Sequence, residues 1–105
     1  MIYSNDNYYE AILQLRPYSK RVLNYVKEQI DLDKNALISK EFKKKFGVDL
    51  KLTSKFFVMR IGRKLKSRFG GTIKISRTLY GVHRQTSKRL YRVTVCFRLP
   101  EQVKK

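Results

Sequence analysis

Acidic side chains are what this sequence has least of for its size. Eight Asp and Glu stand against 25 Lys and Arg in 105 residues, a formal net charge of +17. Between Leu50 and Pro100 the shortage is complete, with fourteen Lys or Arg and no carboxylate. A field of that strength works against the compact state through self-repulsion and makes polyanions the natural partners. An ordinary soluble surface mixes the two signs to limit that repulsion. Half a chain without acids therefore reads as a surface neutralised by phosphates of another molecule.

The other scarcities exclude chemistry. Cys96 is the single cysteine, so no internal disulfide can form, and with no export signal visible in "MIYSNDNYYE" a reducing cell interior is expected. It falls beside Thr94 and Arg98 and reads as an inert thiol. His83 is the only histidine and has no carboxylate within 17 residues on either side. A general base needs an orienting partner and a metal needs several ligands, so neither role fits. No glycine-rich loop opens a helix to cradle phosphate, and the few acids make no pair at a compelling spacing. The longest run of large apolar residues is Phe56-Phe57-Val58-Met59, too short to span a bilayer. The expectation is a non-enzymatic protein with no cofactor, no metal, no small-molecule substrate and no membrane partner.

What is present suits one small folded domain, since 42% of the residues are hydrophobic. Asn5 or Asp6 can cap a short helix over about 7–15, with Tyr8, Ile12 and Leu15 on one face. Pro17 opens a second helix, 17–30, in which Tyr18, Val22, Val26 and Ile30 recur every four residues. Ala36-Leu37-Ile38 is a brief apolar run that suits a short strand. Ser39 caps a helix over 39–46, with Phe42 and Phe46 inward, Lys43, Lys44 and Lys45 outward, and Gly47 as its stop. After the connection "VDLKL", Thr53-Ser54 caps a longer helix, 54–69, ended by Gly70-Gly71. The period then changes to two, predicting a hairpin over about 72–80 and 89–99. The expected division is an N-terminal extension at 1–16, one domain at 17–100 and a basic tail at 101–105.

On a helical wheel for 54–69, Phe57, Val58, Ile61, Leu65 and Phe69 make the core stripe. The rest carries Lys55, Phe56, Met59, Arg60, Arg63, Lys64, Lys66 and Arg68. Aromatic and guanidinium groups interleaved in this way suit stacking on bases and pairing with phosphates. Phe56 and Met59 can instead pack under the N-terminal helix, and Gly62 either admits a close neighbour or is simply tolerated. The hairpin adds a second arm. Lys74, Arg92 and Arg98 point outward, Arg77 lies in the inward phase where the strand outruns the core, and the tip supplies His83, Arg84, Lys88 and Arg89. With Lys43, Lys44 and Lys45, these residues are the candidate nucleic-acid contacts.

Helix, short strand, helix, turn, helix and long hairpin form an order that resembles the winged helix-turn-helix proteins over about 30–99. The five-residue turn is longer than the 3–4 residues usual in that motif. That resemblance implies an α+β winged-helix domain. Residues 62–100, "GRKLKSRFGGTIKISRTLYGVHRQTSKRLYRVTVCFRLP", resemble a segment near the C-terminal end of archaeal relatives of the large-subunit nuclear export adaptor. That family is ribosome-associated, and its zinc-binding cysteine pairs have no counterpart here. Two functions remain open. One is a structural rRNA-binding protein of archaeal ribosomal type, cytoplasmic and beside other ribosomal proteins. The other is a DNA-binding regulator or chromatin protein of the nucleoid. Winged-helix order favours the second. Basic residues in every element favour the first.

Overall fold

Ahead of residue 55 two short stretches share a period of two, Ala11, Leu13 and Leu15 and then Val48, Leu50 and Leu52, with Ile38 between them. All are buried. In the computed structural model they belong to strands, and the fold is α+β without being a winged helix. The structure describes residues 3–4, 8–33, 36–83 and 88–100, and their side chains apart from those of 80–83 and 88–90. The elements in order are β1 (Ala11–Arg16), α1 (Lys20–Leu32), β2 (Ile38–Lys44), β3 (Gly47–Leu52), α2 (Lys55–Phe69), β4 (Thr72–His83) and β5 (Lys88–Arg98).

The strands form one mixed sheet in the order β2-β3-β1-β5-β4. β1 is antiparallel to β3, with Leu13 opposite Leu50, and parallel to β5, with Leu13 opposite Val95. The two outer pairs, β2–β3 and β4–β5, are antiparallel hairpins. Each helix carries the chain across strands made elsewhere. α1 leads from β1 past β3 to β2, and α2 leads from β3 past β1 and β5 to β4. These are split β-α-β connections. β1 pairs only as far as Val93 on β5, while the β4–β5 pairing continues to His83 opposite Lys88. The hairpin therefore runs on as a two-stranded arm.

The register puts Ala11, Leu13 and Leu15, Val48, Leu50 and Leu52, and Val93, Val95 and Phe97 on one side of the sheet. Val22, Leu23, Val26 and Ile30 of α1 and Phe57, Val58, Ile61 and Leu65 of α2 join them in one cluster. Both helices thus cover the same side. They run antiparallel, with Tyr25 of α1 edge-on to Phe69 of α2 at 5.6 Å and Asp33 beside Arg60. Ser19 and Ser54 cap them, each accepting from the backbone N–H three residues on. Gly70, at φ 76°, closes α2 by donating its N–H to the Lys66 carbonyl. Gly62 is there for packing, because a Cβ on it would stand 3.0 Å from Cγ1 of Val95.

The structure corrects the expected elements before residue 53. The helix expected over 7–15 is β1, and its expected caps, Asn5 and Asp6, lie outside the described residues. Ile12 points away from the core there, which is why Tyr8, Ile12 and Leu15 imitated a helical face. The helix expected over 17–30 begins only at Lys20, because Ser19 in extended conformation caps it by accepting from the Val22 N–H. The helix expected over 39–46 is β2 and the turn after it, and Phe42 and Phe46 are 41% and 70% exposed rather than inward. "VDLKL" is not a connection but most of β3. Gly47 opens that strand, where a side chain would run into the Leu15 carbonyl of β1. The three-helix winged arrangement fails because its expected middle helix is the edge strand β2, its expected turn is the strand β3, and the segment expected as an N-terminal extension supplies the central strand β1. From Ser54 onward the expected order stands, with the first hairpin strand running on to His83 rather than 80 and the second displaced by one residue to Lys88–Arg98. No helix among the described residues is long and apolar enough to cross a membrane.

Candidate nucleic-acid interface

Helices on one side of a sheet leave the other side bare, and alternation decides what it carries. Where β1, β3 and β5 alternate, the partners of core residues face outward. Lys51 lies opposite Ile12 and Lys40, Gln14 stands between Asp49 and Cys96, and Arg16 lies beside Arg98. Lys74 on β4 lies opposite Cys96, and Thr78 opposite Arg92. β2 has a register shift between Ile38 and Lys40, so Lys40, Phe42 and Lys44 face the bare side while Glu41 and Lys43 face the helix side.

Rings and one acid organise these cations. The Arg92 guanidinium lies 4.1 Å from the Tyr9 ring centre, and its Nε donates to the Tyr9 carbonyl at 3.3 Å. The Lys51 ammonium is 4.5 Å from the Tyr9 ring and 5.4 Å from that of Phe42. Asp49 is buried between Arg16, at 2.7 Å, and Lys44, at 3.2 Å. Arg16 also donates from Nη1 to the carbonyls of Leu15 and Val48. At the end of the sheet, Arg16, Lys45 and Arg98 line an open groove of about 1070 Å³ with Tyr18 and Phe46.

The candidates named from the sequence do not share one surface. Phe56, Arg60, Arg63, Lys64, Lys66 and Arg68 are exposed along α2, and Lys55 is half-buried at its start. Phe56 is 68% exposed, whereas Met59 packs partly against the core. Several of these cations already have partners in the helix layer. Arg60 pairs with Asp33 at 2.7 Å, Lys64 donates to Gln29 at 3.4 Å, and the Arg68 guanidinium lies 4.9 Å from the Tyr25 ring. Arg77 is exposed on the helix side of the arm, as its inward phase beyond the core requires, and Lys43 is exposed on the helix side of β2. Lys44, Lys74 and Arg92 belong to the bare side, and Lys45 to the turn after β2. His83, Lys88 and Arg89 lie within the paired strands rather than in a loop. Arg84 and the tail 101–105 lie outside the described residues.

Arg16, Lys40, Lys51, Tyr9 and Phe42 were not among the candidates. The signal for Arg16 and Lys51 was the same alternation that marks β1 and β3, whereas β2 gives none for Lys40 and Phe42, and Tyr9 precedes the strands. A cation between two buried leucines, as Lys51 is between Leu50 and Leu52, faces away from the core by geometry.

Two helices on one side of a five-stranded mixed sheet, with a basic bare side opposite, define an α+β domain built to cover one sheet face only. Residues 8–99 match the family model described as NMD3, second domain, and the chain belongs to the NMD3 family. This is the ribosome-associated, export-adaptor family that residues 62–100 resemble, and the match extends the likeness over both helices and all five strands. No curated protein matches the chain.

Proposed function

We propose that this domain is a non-catalytic rRNA-binding module of a ribosome-associated protein, working in the cytoplasm beside ribosomal proteins and holding RNA phosphates with the outer face of α2 and the β4–β5 arm. The observation that carries the reading is the segregation of charge. The segment 50–100, which has no acid, folds into the end of β3, α2, β4 and β5, and leaves most of its described cations on exposed surface. Arg63 and Lys66 stand outward on α2 with no ion pair among the described residues. Such groups gain by releasing counterions from a phosphate backbone. Family membership favours the ribosome as the source of that backbone.

The test is co-sedimentation with purified ribosomal subunits, followed by a salt titration on a duplex RNA. Neutralising about six phosphates gives a slope of log affinity on log salt near −5. A slope shallower than about −2 would rule out the electrostatic mode. Changing Arg63→Ala and Lys66→Ala together should flatten the slope by up to about two units without moving the melting temperature.

A further inference from the structure

The helix side and the bare side of the sheet offer an RNA different things. Along α2 the exposed groups are mostly cations, which serve a continuous phosphate backbone. On the bare side, and in the groove that continues it, cations alternate with exposed rings. Phe42 is 41% exposed, Tyr18 49% and Phe46 70%, too open to be core. An A-form duplex shows side chains its phosphates, sugars and base edges, while base faces become available only where nucleotides are unpaired.

We propose that the bare side of the sheet, running into the groove at its β1–α1 end, is a second RNA surface that takes unpaired nucleotides. The proposal rests on the rRNA-binding reading and adds a separate site to it. Charge complementarity commits the occupant. Asp49 is the one acid on this side among the described residues, and it is held by both Arg16 and Lys44. Lys51 is positioned by the rings of Tyr9 and Phe42, with no carboxylate partner among the described residues, so it is oriented without being neutralised. Arg92 lies against the same cluster at the Tyr9 ring. A groove of about 1070 Å³ has room for a splayed base, with Phe46 beside it for stacking and Arg98 beside it for phosphate. The surface thus pairs backbone-holding cations with stacking platforms, as sites for single strands do. With α2 on the other side, one domain would hold two separate stretches of RNA.

The test uses two probes on the whole chain, a short oligouridine and an RNA duplex. The paired change Phe42→Leu and Phe46→Leu keeps apolar bulk at exposed positions and removes the rings. It should weaken oligouridine binding about tenfold or more, given the cost of losing base–aromatic stacking, and leave duplex binding unchanged. Phe46→Tyr alone, which keeps a ring, should retain oligouridine binding. Arg63→Ala with Lys66→Ala should do the reverse, weakening the duplex more than oligouridine. Cys96, half-buried in the middle of the bare side, gives a readout without mutation, because bound oligouridine should slow its alkylation and bound duplex should not. If the protein binds duplex but not oligouridine, or binds both with the two leucines in place as well as without them, the second surface is refuted and the rRNA reading stands. If it binds neither probe, both readings fall.

Discussion

The two sides of this sheet are made from the same strands and obey opposite demands. On the covered side every position must exclude water, so Leu13, Leu50, Val95 and Phe97 are fully buried under α1 and α2. On the other side no helix packs among the described residues, and the alternate residues of the same strands are Gln14, Asp49, Lys51, Thr94, Cys96 and Arg98. The acids divide just as unevenly. Glu28 and Asp31 lie in α1, Asp33 caps its end and Glu41 faces the helix side of β2, while Asp49 is on the bare side. A side relieved of packing was thus free to become basic, and its charge is offset least where no helix lies.

The contrast breaks most visibly in the core. Leu13→Ala or Leu50→Ala should destabilise by about 2–5 kcal/mol each, read by denaturant unfolding. Gln14→Ala, one residue away on the bare side, should stay within about 0.5 kcal/mol. Equal losses would mean that the bare side is covered in solution. A middle-sized effect falls on the one acid that side contains. Asp49→Asn takes a charged partner from both Arg16 and Lys44 and should cost about 1.5–3 kcal/mol, while tightening RNA binding at low salt. Lower stability without tighter binding would separate Asp49 from the RNA surface. The smallest effect is on the covered side, at Lys27. Burial of its stem opposes the charge, but hydrogen bonds and negative charge from Tyr3 and Glu41 outweigh that, and its ammonium titrates above the ordinary lysine value. A raised value in the folded state means stability held at neutral pH and lost as alkali carries the pH through it. Glu41→Gln should reduce that alkaline slope in a series of melting curves, leaving the part that Tyr3 contributes.

Legibility in the sequence followed burial. α2 was plain because Ser54, the stripe from Phe57 to Phe69 and Gly70 all agree on one helix. β5 was plain because three buried residues alternate at the centre of the sheet. β2 was not, because an edge strand with only Ile38 buried has almost no phase to show, and Phe42 and Phe46, four apart, imitate a helix. In β3 the alternation was present but only five residues long, with Asp49 and Lys51 at the polar positions of what looked like a connection. The candidate site shared this fate. Cations on α2 could be placed from a wheel, whereas Arg16, Lys40 and Lys51 acquire a common side only once β1, β2 and β3 are known to be strands.

The parallel seam between β1 and β5 also sets a clock. Its partners Ala11 and Val93 stand 82 positions apart (93 − 11). At synthesis rates of about 5–20 residues per second, that gap is roughly 4–16 s of translation. Through that interval β1 can pair with β3 but has an empty edge on its other flank, and both α2 and the β4 hairpin must await the final strand. Non-local pairing of this kind also makes refolding of the whole chain slow, in the millisecond-to-second range of strand-rich topologies rather than that of helical bundles. The sheet is completed from its middle, by the strand that is made last.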